Sequence, residues 1–463
     1  MDKRQEERDQ YIENMLDRLF FQNWTNGTQR WRNLELIVTP ECNLKCTYCY
    51  INRHGDELYK EDIRDSSKIV HNAELVLDWV IENGYNVNKI DIFSGSLFSQ
   101  QIGWDVLDVI YNKYKDAPAD VRPNMVVVPT NYTFLLDEDI TDRVEELIAR
   151  FKRIGMNIFL SGSVEGKYME QNRRFRHDLE MGSGCGEHLF LPESNEPRDD
   201  EYYDKVMKFT KKHNFGLHPM IYSKDIELWE KNFKWFQEKF KEHGLKHNNI
   251  FLLEVRNYEW TKEQTNDFYK FVKYVHEWVL EEVCDGDPEL FVELIKNRGT
   301  INLISTPLSK NTNTGIVCSI QTALMVRLGD LHLVPCHRTS YDGLEYGKLK
   351  VKDGKIAGIK GLNIELATQI YSFNHQESPM CTTCPINAVC NQTCLGANLE
   401  STGSLFTPPP TVCRLHFAKA RAITEFMLEN DLFDNLMNTT NQNQVGAYVR
   451  IRKMIEGEED GAK

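Results

Sequence analysis

The sequence predicts an α/β fold, a partial (β/α)6 barrel of the TIM-barrel type followed by a cysteine-rich extension with little regular structure. Six short, β-rich apolar runs alternate with segments whose apolar residues recur every three or four positions. Strands that alternate with helices form parallel sheets with right-handed crossovers. From about residue 300 the helical periodicity fades, and this part of the chain holds seven of the twelve cysteines.

The individual elements follow from residue type along the chain. The six predicted strands are residues 34–39, 89–93, 124–129, 157–161, 216–221 and 250–256. Asp137 or Asp139 suits the start of a helix, and Gly84, Gly155 and Gly244 suit helix ends. A further helical pattern begins near residue 415 and precedes an acidic tail.

These elements divide the chain into four predicted regions. Residues 1–33 form an N-terminal helical segment, and residues 34–299 form the barrel, with an insertion at about 176–200. Residues 300–414 form the cysteine-rich extension, which we expect its metal sites to hold together. Residues 415–463 form the C-terminal helix and the tail.

Polar residues collect where the predicted strands end. Parallel barrels place their active sites at the carboxyl ends of the strands. In chain order these positions carry Cys42, Cys46 and Cys49, then Ser94, Gly95 and Ser96, then Thr130 and Asn131, then Ser161, Ser163 and Glu165, then His218, and finally Arg256 and Asn257. We therefore expect one polar rim to form the active site.

Composition excludes several classes of function. The chain has 55 Lys and Arg against 69 Asp and Glu, a net charge of −14, and no long basic run that would track a nucleic-acid backbone. The first ten residues are almost all charged or amide, so no signal peptide is expected, and no apolar run is long enough to span a membrane. The prediction is a cytoplasmic protein that binds neither nucleic acid nor membrane, in which cysteines bind metal or catalyse rather than form disulfides.

The first cysteine cluster follows the first predicted strand directly. Cys42, Cys46 and Cys49 are spaced Cys-x3-Cys-x2-Cys. Three thiolates in one loop can hold a [4Fe-4S] cluster and leave one iron without a protein ligand. A structural zinc site is the alternative, but it needs a fourth ligand, and His54 lies five residues beyond the loop.

This motif, with Tyr48 at its aromatic position, resembles that of the radical S-adenosylmethionine (SAM) superfamily. The resemblance implies that the open iron chelates SAM. It also implies that one electron from the cluster cleaves SAM to methionine and a 5′-deoxyadenosyl radical, which abstracts hydrogen from a substrate.

The later cysteines resemble the SPASM extension of radical SAM enzymes that modify peptides. This extension holds two auxiliary [4Fe-4S] clusters, which would make three clusters in all. The resemblance assigns the outer cluster to Cys381, Cys384, Cys390 and Cys413, and the inner cluster to Cys318, Cys336 and Cys394. The fourth ligand of the inner cluster stays open, and a zinc ribbon remains an alternative for Cys381 and Cys384 alone.

Two cysteines are left over. Cys284 lies in a helical run and is expected to be a buried apolar residue. Cys185 lies in the glycine-flanked sequence GSGCGEH of the predicted insertion, where it is a candidate hydrogen-atom donor or substrate contact.

The resemblance also implies a set of SAM-binding residues, with departures from the family pattern. Ser94-Gly95-Ser96-Leu97 replaces Gly-Gly-Glu-Pro, so the acidic partner of the SAM ammonium is missing. Tyr48, Gly95, Ser96, Asn131, Ser163 and Arg173 match the remaining positions, and the arginine would pair with the SAM carboxylate. Without the resemblance, these residues would be interpreted as turn or capping residues.

A final departure lies beside Cys336. Sulfatase-maturing relatives carry an aspartate there as the proposed base, whereas this chain has His337. The histidine could accept a substrate proton or only hydrogen-bond a cluster sulfur.

The preferred interpretation is a maturase that cross-links side chains of a ribosomally made peptide by thioether, C–C or C–O bonds. The alternatives are oxidation of a single residue, as in sulfatase maturases, modification of a small metabolite, and a non-catalytic iron-sulfur electron carrier. Only 41 residues precede Cys42, too few for a winged-helix leader-binding domain, so a separate leader-binding protein is a possible partner. Flavodoxin or ferredoxin is the reductant that the resemblance implies.

Overall fold

The computed structural model describes residues 32–58, 65–83, 87–176, 189, 198–308, 320, 323–390 and 394–457. The chain divides into two compact units. The first unit comprises residues 1–162, 172–197 and 318–372, and the second comprises residues 163–171, 198–317 and 373–463. The predicted N-terminal segment up to residue 31, nearly all of the predicted insertion, and Gly84 lie outside the described residues. The four predicted regions therefore stay a prediction.

The described strands alternate with helices through the first half of the chain. The strands are β1 (Arg32–Thr39), β2 (Leu44–Cys46), β3 (Val87–Ser94), β4 (Met125–Thr130), β5 (Asn157–Gly162), β6 (Arg173–Phe175), β7 (Met220–Ile221), β8 (Leu253–Glu254), β9 (Ala323–Arg327), β10 (His332–Leu333), β11 (Gly347–Lys352) and β12 (Lys355–Lys360). The helices are Tyr50–Leu58, Ser66–Glu82, Gln101–Tyr114, Glu138–Arg153, Asp200–His213, Trp229–His243, Lys262–Trp278, Pro288–Lys296, Asn302–Leu308, Ile364–Ser372, Pro379–Thr382, Leu395–Thr402, Pro410–Glu429, Phe433–Thr439 and Gln442–Glu456.

The first unit is built on one large sheet of eight strands, in the order β12-β11-β10-β9-β1-β3-β4-β5. The pairs β1–β3, β3–β4 and β4–β5 are parallel, as the alternation of strands and helices predicts. Strand β1 is central, and both its edges pair in parallel, with β3 on one side and β9 on the other. The α/β fold class and the first four strands are confirmed.

The sheet extends beyond the predicted strands. Strand β9 is buried along its whole length, and β10, β11 and β12 continue from it as an antiparallel meander. Asp353 and Gly354 join β11 to β12 with positive φ angles of 52° and 76°, the geometry of a tight hairpin turn. The region after residue 300 therefore has more regular structure than the sequence analysis predicts.

The second unit holds the fifth and sixth predicted strands. These strands are short: β7 and β8 form a two-stranded parallel sheet, extended by a bridge from Leu217 to Ile250. Among the described strands no hydrogen-bonded ring closes, which agrees with a partial barrel. Large buried aromatic residues, including Trp229, Phe233 and Phe236, fill the interior of this unit.

The helix ends agree with the predicted caps where they are described. The Asp137 carboxylate accepts the N–H of Ile140 at 2.9 Å and begins one helix, and Gly244 ends another at φ 66°. None of the described helices is both long and apolar enough to cross a bilayer.

Candidate functional site

The Cys42–Cys49 loop lies directly after β1 in the first unit. Strand β2 ends at Cys46 and pairs with β6 in an antiparallel ladder that sets Cys46 opposite Arg173. Arg173 is 4% exposed, and Thr47 donates its backbone N–H to the Asn172 carbonyl at 2.9 Å. A short ladder thus fixes the cysteine loop against the strand that carries the predicted carboxylate-binding arginine.

The sulfur atoms of this loop lie among hydrogen-bond donors and cations. Cys42 Sγ accepts the backbone N–H of Leu44 at 3.4 Å and an amide N–H of Asn131 at 3.8 Å. Burial raises the pKa of the Cys42 thiol to about 11, and the nearby charge of Arg173 opposes that rise. Burial likewise raises the pKa of Cys49. Partly buried thiols with N–H donors and arginines around them suit an anionic iron-sulfur cluster, whose iron would displace the thiol protons.

Gly95 fits closely against the same loop. Its N–H donates to the Thr39 carbonyl at 3.0 Å, and the Ser96 N–H donates to the Glu41 carbonyl at 2.9 Å. A Cβ at residue 95 would lie 2.2 Å from the Glu41 carbonyl oxygen. Gln100, fully buried, donates its amide to the carbonyls of Glu41 and Ser96. The turn that replaces Gly-Gly-Glu-Pro therefore keeps a backbone approach that only glycine permits.

The loop after β4 brings Asn131 to the cysteine loop. Asn131 is 7% exposed, and its amide donates to Asn43 Oδ1 at 2.8 Å as well as to Cys42. Tyr132 follows it at φ 61°, a left-handed conformation that glycine adopts more readily than tyrosine. Gly162 makes room for the Tyr132 ring, because a Cβ at residue 162 would lie 1.9 Å from it.

Ser163 and Glu165 belong to the second unit, so their predicted relation to the other SAM-binding residues stays a prediction. Ser163 is partly buried. Glu165 is 1% exposed, its side chain accepts the Met220 N–H, and its carbonyl accepts an amide N–H of Asn232 at 2.7 Å. These contacts give Glu165 a structural role at the edge of β7.

His337 lies in a half-buried, stacked environment within the first unit. Its Nδ1 is 2.7 Å from Glu35 Oε1, and its ring stacks on Phe93 with centroids 4.0 Å apart and planes 2° apart. Burial would lower the pKa of His337, but Cys336 and Glu35 outweigh it and hold that pKa well above its usual value. Sequence reasoning missed Glu35, although one carboxylate within the apolar strand LELIVT is a visible signal.

The predicted outer cluster residues Cys381, Cys384, Cys390 and Cys413 all lie in the second unit. Cys381 lies in the short helix Pro379–Thr382, Cys384 follows that helix, and both interact electrostatically with Cys413. Cys384 and Cys413 also line a cavity of about 460 Å³. This clustering of thiols fits a metal site.

The predicted inner cluster is less completely described. Cys336 belongs to the first unit, and its Sγ accepts the Arg338 N–H at 3.4 Å. Cys394 belongs to the second unit, and Cys318 and Cys185 lie outside the described residues. Cys284 is fully buried, in agreement with its predicted packing role.

No protein-family model and no curated protein matches this sequence. Solved structures do resemble its fold. Native anSMEcpe with bound AdoMet and Kp18Cys peptide superposes with a TM-score of 0.54 at 16% identity, covering 88% of this chain and 99% of that chain. Native anSMEcpe with bound AdoMet gives a TM-score of 0.53 at 15% identity, covering 88% of this chain and 100% of that chain.

A weaker likeness exists to Streptococcus suis SuiB bound to precursor peptide SuiA, with a TM-score of 0.44 at 13% identity, covering 83% of this chain and 76% of that chain. The anSMEcpe structures, by contrast, match along most of this chain and along their whole length. Their ligand, AdoMet, is the one that the Cys42–Cys49 motif predicts. The chain therefore has the same overall fold as the anSMEcpe structures.

Proposed function

We propose that this protein is a radical SAM/SPASM maturase that oxidatively modifies side chains of a ribosomally synthesised peptide. The observation that carries the proposal is the Cys42–Cys49 loop, paired with the Arg173 strand inside a fold shared with AdoMet-bound structures. The anSMEcpe neighbour with a Kp18Cys peptide supports a peptide substrate. Cross-linking by thioether, C–C or C–O bonds is the specific chemistry proposed.

Three sets of cysteines would hold three [4Fe-4S] clusters. Cys42, Cys46 and Cys49 would hold the SAM-binding cluster, which supplies the electron that cleaves SAM to the radical. The outer auxiliary cluster would take Cys381, Cys384, Cys390 and Cys413, and the inner one Cys318, Cys336 and Cys394. Hydrogen bonds and cations around Cys42 support the first set, and the clustering of Cys381, Cys384 and Cys413 supports the second.

SAM would lie against the turn at Gly95 and Ser96, with Tyr48, Asn131 and Ser163 nearby. The guanidinium of Arg173 would bind the SAM carboxylate, since its planar fork donates two parallel hydrogen bonds. Its position opposite Cys46 supports this role, because the carboxylate would chelate the iron beside that loop.

Two residues are proposed to act on the substrate. His337 would accept a substrate proton, oriented by Glu35 and by stacking on Phe93. Replacing His337 by Gln should leave 5′-deoxyadenosine formation in place and lower the yield of modified peptide, as mass spectrometry would detect. Cys185 would contact substrate or donate hydrogen, and an alanine variant with parental product yield would remove it from the mechanism.

The partners follow from the same proposal. The substrate would be a precursor peptide or protein, presented directly or by a separate leader-binding protein, and a flavodoxin- or ferredoxin-type protein would deliver electrons in the cytoplasm. No nucleic acid or membrane partner is proposed, since the net charge is −14.

Anaerobic iron-sulfur reconstitution tests the proposal. With excess reductant, the loaded chain should convert SAM to 5′-deoxyadenosine, measured by liquid chromatography. The triple variant with Cys42, Cys46 and Cys49 replaced by Ala should lose this activity, while Cys284→Ala, a matched control at a buried cysteine, should keep it. Full iron loading without SAM cleavage would leave the electron carrier as the better interpretation.

The two enzyme alternatives differ in the product. Single-residue oxidation of the sulfatase-maturase type removes two hydrogens from one side chain, whereas a cross-link joins two residues. Tandem mass spectrometry of the modified peptide separates them, because a cross-link suppresses backbone fragments between the joined residues.

A further inference from the structure

A closed ring of buried hydrogen bonds lies beside the Cys42–Cys49 loop and is formed by Asn43, Asn131 and Thr133. Asn43 donates to Thr133 Oγ1 at 2.9 Å, Thr133 Oγ1 donates to Asn131 Oδ1 at 2.7 Å, and Asn131 donates to Asn43 Oδ1 at 2.8 Å. Their exposures are 0%, 7% and 1%, in the order Asn43, Asn131, Thr133. We call these three residues the amide ring.

The ring joins two loops that are distant in the sequence. Asn43 is the residue after Cys42, whereas Asn131 and Thr133 follow β4, about ninety residues later. The Thr133 backbone N–H also donates to Asn131 Oδ1 at 3.1 Å, so this oxygen has two donors and the Asn131 amide plane is fixed. Each of the three side chains therefore has one orientation in which all the hydrogen bonds of the ring form.

One donor of the ring, the Asn131 amide, also contacts a cysteine sulfur outside the ring. The Asn131 amide nitrogen, which donates to Asn43, also lies 3.8 Å from Cys42 Sγ, and the Leu44 backbone N–H reaches the same sulfur at 3.4 Å. Two N–H groups, one from each of the two loops, thus contact one sulfur. Holding a buried amide in this way costs free energy unless all its groups are satisfied, and the ring satisfies them.

We propose that the amide ring is a positioning device that sets the reduction potential of the cluster on Cys42, Cys46 and Cys49. The proposal rests on the proposed function, because it requires that cluster. Reduction adds one electron to the cluster, and an N–H group directed at a ligand sulfur stabilises the more negative state more strongly. The ring therefore raises the potential and eases reduction by the electron donor. Asn131 acts on Cys42 directly, whereas Asn43 and Thr133 act through Asn131.

The test is an EPR-monitored redox titration of the fully loaded, anaerobic protein. The relevant signal is the one that changes when SAM is added and that is missing from the variant with Cys42, Cys46 and Cys49 replaced by Ala. Asn131→Leu removes the donor at similar volume and should shift the midpoint potential downward. Thr133→Val keeps the shape and removes the hydroxyl, so it should shift the potential in the same direction by less.

Two variants serve as controls. Thr133→Ser restores the hydroxyl and should return the potential to that of the parent. Thr141→Val removes a hydroxyl that donates to the Phe134 and Asp137 carbonyls, outside the ring. It should lower the free energy of unfolding to a similar extent as Thr133→Val and leave the potential unchanged.

An unchanged midpoint potential in iron-loaded Asn131→Leu or Thr133→Val would overturn the proposal. If Asn131→Leu fails to take up iron, Thr133→Val decides, since its shape is that of the parent. Failure of the proposed function would look different: the parent chain itself would give no SAM-responsive signal and no 5′-deoxyadenosine.

Discussion

The two better-described cysteine clusters are built in different ways. The Cys42–Cys49 loop lies between strands of the first unit, where the β2–β6 ladder and the Asn131 amide hold it. Cys381 lies in the short helix Pro379–Thr382 of the second unit and Cys384 in the turn after it, where the backbone hydrogen bonds are local, such as Cys384 N–H to the Cys381 carbonyl at 3.0 Å. Cys413, which interacts with both, is exposed.

This difference indicates how much of the order in each cysteine loop would come from the protein and how much from metal binding. Long-range hydrogen bonds organise the first loop before any metal binds. Among the described residues, the second set is held by local turns and by Arg450, which donates to the Pro385 carbonyl at 3.0 and 3.3 Å at an exposed position, so we expect metal binding to supply much of the free energy that orders it. A protein that must bind SAM precisely benefits from a preorganised first site, whereas an electron-transfer site needs only to hold its cluster.

The largest effect is expected from Arg173→Ala. Removing one partner of a buried charge-assisted pair costs about 2–5 kcal/mol, so the apparent affinity for SAM should fall by roughly 30- to 4,000-fold. Equilibrium binding of SAM to the loaded protein, measured by the change in its EPR signal, checks this. Arg174→Ala is the matched control, because Arg174 is the exposed neighbour on the same strand and should bind SAM as the parent does. Equal losses in both variants would contradict the assignment.

Gly95→Ala should be the next most severe change. The new Cβ would meet the Glu41 carbonyl oxygen at 2.2 Å, and a backbone atom cannot move aside without shifting the cysteine loop. Overpacking of this kind costs about 1–3 kcal/mol. We expect lower iron content at the proposed Cys42–Cys49 cluster, with the proposed auxiliary clusters retained.

The control for Gly95→Ala is Gly55→Ala. Gly55 lies in the helix Tyr50–Leu58, and an added Cβ there would be 3.4 Å from the Ile51 side chain, which is ordinary contact. Iron analysis and EPR spectra of this variant should match the parent. Normal iron loading in Gly95→Ala would mean that the two loops are less rigidly joined than the hydrogen bonds indicate.

Iron removal tests the comparison between the two clusters directly. In iron-free protein, hydrogen exchange should stay slow at Thr47, whose N–H donates to Asn172, and become fast at Cys384 and Cys390. We expect protection at the first site to exceed that at the second by at least about 10-fold, with iron-loaded protein as the reference. Similar exchange rates in the two segments would show that neither loop is organised without metal.

The sequence analysis predicted the fold class and the cysteine clusters because both depend on local signals. Periodicity locates β1, β3, β4 and β5, and the spacing of Cys42, Cys46 and Cys49 identifies the loop. Strand β9 escaped prediction although ALMVR is an apolar run, because its pairing with β1 joins residues about three hundred positions apart. The Asp353-Gly354 pair is typical of a hairpin turn, but the hairpin of β11 and β12 was not predicted, because this region was expected to have little regular structure.

Long-range polar contacts were the least predictable feature of the site. Asn43, Asn131 and Thr133 are ordinary loop residues in the sequence, and only the fold brings them into one ring. The same holds for Glu35 and His337, which are 302 positions apart. Asn131 was predicted as a SAM-binding residue, and its described contact to Cys42 adds a role that spacing alone could not give.

The smallest expected effect concerns two histidines, one in each unit. Burial lowers the pKa of His276 in the second unit to about 4, whereas at the half-buried His337 in the first unit desolvation is outweighed by Cys336 and Glu35, which raise its pKa. A lowered histidine pKa means that the unfolded chain binds the proton more readily, so His276 should cost stability as pH falls from about 6.5 towards 4. The loss should be about 1 kcal/mol at pH 5.5 and about 3 kcal/mol below pH 4.

His276→Gln isolates this effect, because glutamine fits the helix and does not titrate. Denaturant unfolding at pH 7.5 and 5.5 should give a steeper loss of stability for the parent than for the variant. His71→Gln, at an exposed position on the helix Ser66–Glu82, is the control, and its stability should depend on pH as that of the parent does. Parallel pH dependence in the parent and His276→Gln would mean that His276 does not stay neutral in the folded chain. Because the pKa of His337 is raised instead of lowered, we expect no loss of stability from this residue over the same fall in pH.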